Sequence, residues 1–236
     1  MTDSHNEISP KKYARFAGLL YLVIIVFGLS GEILVRSALI VPGDPTATAS
    51  NILTDTPLFR TGFFADSIMF LCDVALAVLI YILLKPAGKV IALAAMCFRL
   101  AQSAVLALNL LHYHAALMIL NDSGIAGEFT GNQLNALAAF FLDLHSYGYD
   151  LGLLFFGVHC LLLGYLVFQS GYLPKILGVL TVAAGSTYLA GSYIRFLLPD
   201  YVEVVQPVYI ICIVTETALC LWLLIKGVDE GRWKRF

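Results

Sequence analysis

Six long apolar runs, separated by short polar breaks, leave this chain few ways to fold. A hydrocarbon core about 30 Å thick is crossed by about 20 helical residues at about 1.5 Å of rise each. Six runs reach that length or come near it: Phe16 to Val41, Phe59 to Leu84, Val90 to Leu120, Leu134 to Phe168, Leu173 to Leu198, and Val208 to Ile225. Lys85-Pro86-Ala87-Gly88-Lys89 divides the second run from the third, and Gln169-Ser170-Gly171-Tyr172-Leu173-Pro174 divides the fourth from the fifth. Inside lipid every backbone N–H and C=O needs a partner within its own segment, so such runs are helices. The chain is 60% hydrophobic and 13% charged, where soluble domains carry about 25% charged residues. The expected fold is all-α: a polytopic membrane helix bundle of about six transmembrane helices.

Basic residues in short flanks set the orientation. Of the fourteen lysines and arginines, ten (Lys11, Lys12, Arg15, Lys85, Lys89, Lys175, Lys226, Arg232, Lys234 and Arg235) fall on one side. Arg36, Arg60 and Arg195 fall at helix ends on the other side, and Arg99 lies within a span. Both termini are therefore expected in the cytoplasm. A cytoplasmic N-tail (1–15) and C-tail (226–236) flank a transmembrane domain (16–225). Lys11, Lys12 and Arg15 precede the first run as in a signal peptide, but the run is too long and has no small-residue cleavage site before Glu32. The outer segments are Pro42 to Pro57, with a short interfacial helix expected over Ala47–Leu53, then Asn121 to Asn132, and Pro199 to Gln206. The third and fourth runs exceed a span by about ten residues, so they tilt, project, or bend near residues 143–148.

Several function classes are disfavoured at once. A net charge of −2 lacks the basic face that nucleic acid requires. No nucleotide-binding glycine loop or nucleophile elbow precedes a suitable element. The five cysteines all lie in apolar runs without metal spacing and read as small buried apolar residues. The lipid bilayer is the one partner that composition requires; oligomeric state stays open.

Ionisable groups within a span are costly, so each marks either a functional site or a paired lock. Glu32 and Arg36 are four apart with the acid first, the favourable order for a helical ion pair, and are expected to form a structural pair. Asp66, Asn109, His112, His145, Tyr149, His159, Arg195 and Glu216 are the expected lining of an outward-facing polar pocket, which takes a small polar ligand or a lipid headgroup. On the third helix Arg99, Gln102, Asn109 and His112 share an arc of about 140°, and His114 points about 160° away from His112. On the fourth, His145, Tyr149, Gly152, Phe156 and His159 share about 80°.

Three further readings compete for these residues. His112, His145 and His159, with Asp66 or Asp150, have the ligand types of a zinc-assisted hydrolase acting on a lipid. No short HExxH-like spacing joins them, and the set loosely resembles intramembrane hydrolases of the alkaline-ceramidase kind in residue types alone. His145 and His159 also lie about 21 Å apart along a straight helix, too far to share one ion. Haem ligation finds no second pair of axial histidines at the deeper level. Buried charge on the second, third and sixth helices suits a small transporter subunit, but inverted repeats and broken helices are not visible. No metal, cofactor or catalytic residue is assigned.

Several stretches resemble an uncharacterised integral-membrane family, catalogued as domain of unknown function four-three-eight-six. They are Ala14-Arg15-Phe16-Ala17-Gly18-Leu19-Leu20-Tyr21-Leu22, Asn51-Ile52 with Leu58-Phe59-Arg60, and Leu84-Lys85-Pro86. Leu144-His145-Ser146-Tyr147-Gly148-Tyr149, Phe156-Gly157-Val158-His159-Cys160 and Leu173-Pro174-Lys175-Ile176-Leu177-Gly178 complete them. The resemblance implies a multi-pass protein of the bacterial inner (cytoplasmic) membrane, and it implies no reaction.

Overall fold

Proline and capping residues set where the helices begin. In the computed structural model, which describes residues 9–121 and 127–235, α1 (Pro10–Ser30) opens on Pro10, whose missing N–H costs nothing at a first helical position. This start lies inside the segment expected as a tail. Helix α1 runs on through a π-helical turn, Gly31–Arg36, to Leu39. Asp44 caps α2 (Pro45–Thr54), accepting from the Ala47 amide at 2.9 Å, so this short helix begins where its Asp-Pro signal stands. Next come α3 (Thr56–Leu84), α4 (Lys89–Asn121) and α5 (Gly131–Ser170). Thr130 and Gln133 form a capping box at the start of α5, with Gln133 Oε1 accepting from the Thr130 amide at 2.8 Å. Helix α6 (Lys175–Leu197) leads through short turns to α7 (Ile210–Ile225) and α8 (Glu230–Trp233). Part of the outer loop expected at Asn121 to Asn132, residues 122–126, lies outside the described residues.

Six helical stretches are long and apolar enough to cross a membrane: Pro10–Leu39, Thr56–Leu84, Lys89–Asn121, Gly131–Ser170, Lys175–Leu197 and Pro199–Ile225. The protein is therefore an all-helical, multi-pass membrane protein. Helix α5 is helical through residues 143–148, so the surplus length there is not taken up by a break.

The chain forms two compact units. The first comprises Met1–Val23, Cys72–Gln102 and Leu153–Phe236. Its helices approach through glycine. An added Cβ on Gly164 would lie 2.6 Å from the Gly178 carbonyl oxygen, and one on Gly185 would lie 2.8 Å from that of Gly157. Gly157 and Gly164 on α5, seven apart, thus face Gly185 and Gly178 on α6, and backbone packs on backbone as small residues permit in lipid. Helix α7 is fastened to α6 by Thr215 Oγ1, which donates to the Leu180 carbonyl at 3.4 Å. The C-terminal segment is docked rather than loose. Trp233 Nε1 and Tyr172 Oη donate to the Leu83 carbonyl at 2.8 and 2.9 Å. They satisfy an oxygen that the end of α3 leaves without an intrahelical partner. Burial raises the Tyr172 phenol well above its ordinary range.

The second unit comprises Ile24–Leu71 and Ser103–Gly152. Its main core gathers Val35, Leu39, Ile52, Phe59, Tyr113 and Leu142. Phe59 and Tyr113 stack at 4.1 Å with planes 3° apart, and the Tyr113 hydroxyl donates to the Phe59 carbonyl at 3.0 Å. A smaller cluster joins Met69, Phe70, Leu106 and Leu110, with Tyr149 packed against it.

Candidate functional site

The π-helical turn of α1 carries both Glu32 and Arg36. Arg36 Nε donates to Glu32 Oε2 at 2.7 Å, and Arg36 Nη1 donates to Asp66 Oδ2 on α3 at 2.8 Å. The Glu32 side chain is 66% exposed and that of Arg36 12%, whereas the Asp66 side chain is fully buried. Arg36 is therefore shared by two carboxylates, and the expected Glu32–Arg36 pair acquires a third member. Among the described residues, Asp66 Oδ1 has no hydrogen-bond partner. It faces Gly31, where a Cβ would lie 3.1 Å from that oxygen and 3.2 Å from Arg36 Nη2. π-helical turns recur at functional sites because they leave backbone groups outside the regular ladder.

Asn109 ties His112 and His145 together. Its amide nitrogen donates to the His145 carbonyl at 2.7 Å, and its carbonyl side-chain oxygen lies 3.0 Å from His112 Nδ1. His145 Nδ1 in turn lies 3.2 Å from the Asn109 main-chain oxygen. Both ends of the Asn109 amide are thus used, which fixes its orientation. Gly148 makes this crossing possible, because a Cβ there would overlap the Asn109 amide. His145 is buried and His112 half-buried.

The first unit holds a separate buried network. Arg99 Nε donates to Asp73 Oδ1 at 2.9 Å, and Nη2 reaches the same oxygen. Arg99 Nη1 lies 3.1 Å from His159 Nε2, and His159 Nδ1 lies 2.8 Å from the Ala95 carbonyl. A guanidinium only donates and a carbonyl only accepts, so Nε2 is bare and Nδ1 carries the proton. Tyr21 and Phe156 flank the guanidinium, their ring centres 5.4 and 5.2 Å from Cζ. Both ring nitrogens of His159 are occupied, which leaves it no position for a metal or ligand. Glu216 accepts from the Tyr188 hydroxyl. Arg195 stands in the last turn of α6.

The eight expected pocket residues accordingly divide. Asp66, Asn109, His112, His145 and Tyr149 belong to the second unit, and His159, Arg195 and Glu216 to the first. Among the described residues, no three His, Cys, Asp or Glu side chains are grouped so that they could hold a metal ion. Sequence reasoning missed the Arg99–Asp73 pair and its aromatic flanks. The two residues are 26 apart on different helices, and no spacing rule joins them. It also left out Arg60 and His114, which with Phe59, Phe63 and Leu117 line a cavity of about 320 Å³.

Comparison with known proteins accords with this all-helical picture. A family described as "Domain of unknown function (DUF4386)" matches residues 16–227. The chain belongs to the DUF4386 family. The DUF4386 match spans all six long apolar helices in whole or in large part. A relative titled "Uncharacterized protein" from Archaeoglobus fulgidus is 33% identical over 161 residues, covering 68% of this chain and 80% of its own length. Its archaeal source shows that the likeness is not confined to bacteria. No solved structure matches the chain.

Proposed function

We propose that this DUF4386 protein is a membrane-embedded binding protein. It takes a small polar ligand or a lipid headgroup on the polar side chains of its second unit, around Asp66, Asn109, His112 and His145. One observation carries the reading: Asp66 is fully buried, yet among the described residues its Oδ1 lacks a partner. A buried acceptor left unmade costs about 1–3 kcal/mol, and more when charged. A ligand that brings an O–H or N–H donor removes that cost. The basic asymmetry supports a site on the outer side of an inner membrane, with both termini in the cytoplasm. Hydroxyl and ammonium headgroups are the matching chemistry. Thermal-shift measurements with glycerol, ethanolamine and choline test the reading on purified protein. Stabilisation by glycerol or ethanolamine is expected, and choline, which has a hydroxyl but no N–H, separates the two donor types. Asp66→Asn should abolish the shift, and a shift that survives this substitution rejects the site.

A further inference from the structure

The cavity between α3 and α4, lined by Phe59, Arg60, Phe63, His114 and Leu117, is built from residues of the second unit alone. We propose that it is a binding site for one anionic phospholipid, with Arg60 and His114 on the phosphate and the three apolar side chains under the first acyl carbons. It shares no residue with the arrangement around Asp66.

Depth is the first argument. Helix α4 has 33 residues and is about 50 Å long, so it exceeds a 30 Å core by about 10 Å at each end when centred. His114 stands seven residues before Asn121, about 10 Å from that end. Helix α3 has 29 residues and projects by about 7 Å at each end, and Arg60, four residues after Thr56, lies about 6 Å in. Both basic side chains fall at the boundary where phosphates lie.

Charge is the second. Arg60 is exposed and, among the described residues, no carboxylate pairs with it. Asp55, five residues earlier, is occupied as an acceptor for the Leu58 amide at 3.0 Å. A guanidinium fork matches phosphate geometry, and the start of α3 adds the positive end of its dipole.

The floor is the third. The His114 ring lies against Phe63 at 5.6 Å between centres, so a basic group and an aromatic face are presented side by side. A volume of about 320 Å³ lies within the range of small-ligand sites. Free phosphate would leave the apolar floor uncovered, which is why a lipid is the occupant.

Native mass spectrometry of the detergent-solubilised full chain, titrated with phosphatidylglycerol and with phosphatidylcholine, tests this. One retained phosphatidylglycerol is expected, held at least fivefold more strongly than phosphatidylcholine. Arg60→Gln should lower its retention at least fivefold, and Arg60→Lys less. Lys12→Gln, at an exposed position of the first unit, should leave it unchanged. Equal retention by wild type and Arg60→Gln overturns the site, as does an equal loss with Lys12→Gln, which would indicate general surface charge. Displacement of the lipid by equimolar inorganic phosphate or glycerol phosphate would overturn the lipid assignment. Melting temperatures within 2 °C of each other confirm that the variants are folded.

Discussion

Arg36 Nη1 stands 2.8 Å from Asp66 Oδ2, thirty residues apart in sequence and on different helices. Asp66 is fully buried, so Arg36→Met strands a carboxylate and should cost about 3–5 kcal/mol of stability. Glu32, mostly exposed, contributes little; Glu32→Gln should cost under about 1 kcal/mol. Arg36→Met combined with Asp66→Leu should recover much of the single-variant loss, because both charges leave together. Thermal unfolding in detergent measures all three, and an unchanged midpoint for Arg36→Met rules out the lock.

Arg99 spans Asp73 and His159 with different nitrogens of one guanidinium. A lysine ammonium offers no planar fork, so Arg99→Lys should destabilise nearly as much as Arg99→Met, by about 3 kcal/mol or more. The bare Nε2 of His159 is visible directly. Nitrogen-15 NMR of labelled histidine should show a signal from an imidazole protonated at Nδ1 that is lost in His159→Gln. Detection of His159 with its proton on Nε2 would contradict the arrangement.

Topology is checked from outside intact cells, in a background with the five native cysteines replaced. A cysteine at Asp200 should react with an impermeant thiol reagent, and a cysteine at Lys89 should not. Both positions are exposed, so a failure to react reports the side of the membrane rather than burial. Reaction at Lys89 reverses the orientation.

Glu230 joins the start of α1 to α8 at a partly exposed site. The Ser9 hydroxyl donates to its carboxylate, the Lys11 amide adds a bond at 3.3 Å, and these hold its pKa below the ordinary glutamate range. A carboxylate depressed in the folded state stabilises above its unfolded value of about 4.3 and loses that contribution as pH falls through its folded value. Hydrogen exchange at the α8 amides should therefore be slower in wild type than in Glu230→Gln at pH 7. The difference should shrink as pH drops below about 4. A difference that grows on acidification would contradict the sign.

The six helices were legible because lipid imposes one length and one hydrogen-bonding rule on every span. Ends were legible to within a few residues where Asp44 or Thr130 marks them, whereas α1 begins at Pro10, inside the expected tail. The Glu32–Arg36 contact was legible because helical spacing alone brings residues four apart together. Partnership across helices was not. Depth and facing put His145 and His159 on one stripe of α5, and tertiary structure gave them different partners, Asn109 for one and Arg99 for the other. Asp66 looked like a pocket residue, and only packing against the π-helical turn showed that one oxygen holds Arg36 while the other has no partner among the described residues. The sequence by itself determined which segments lie in the membrane, since that depends on each segment's own composition. The tertiary structure decided which buried charges meet, since that depends on how helices pack side by side, and residues 26 or 30 apart carry no periodic signal of it.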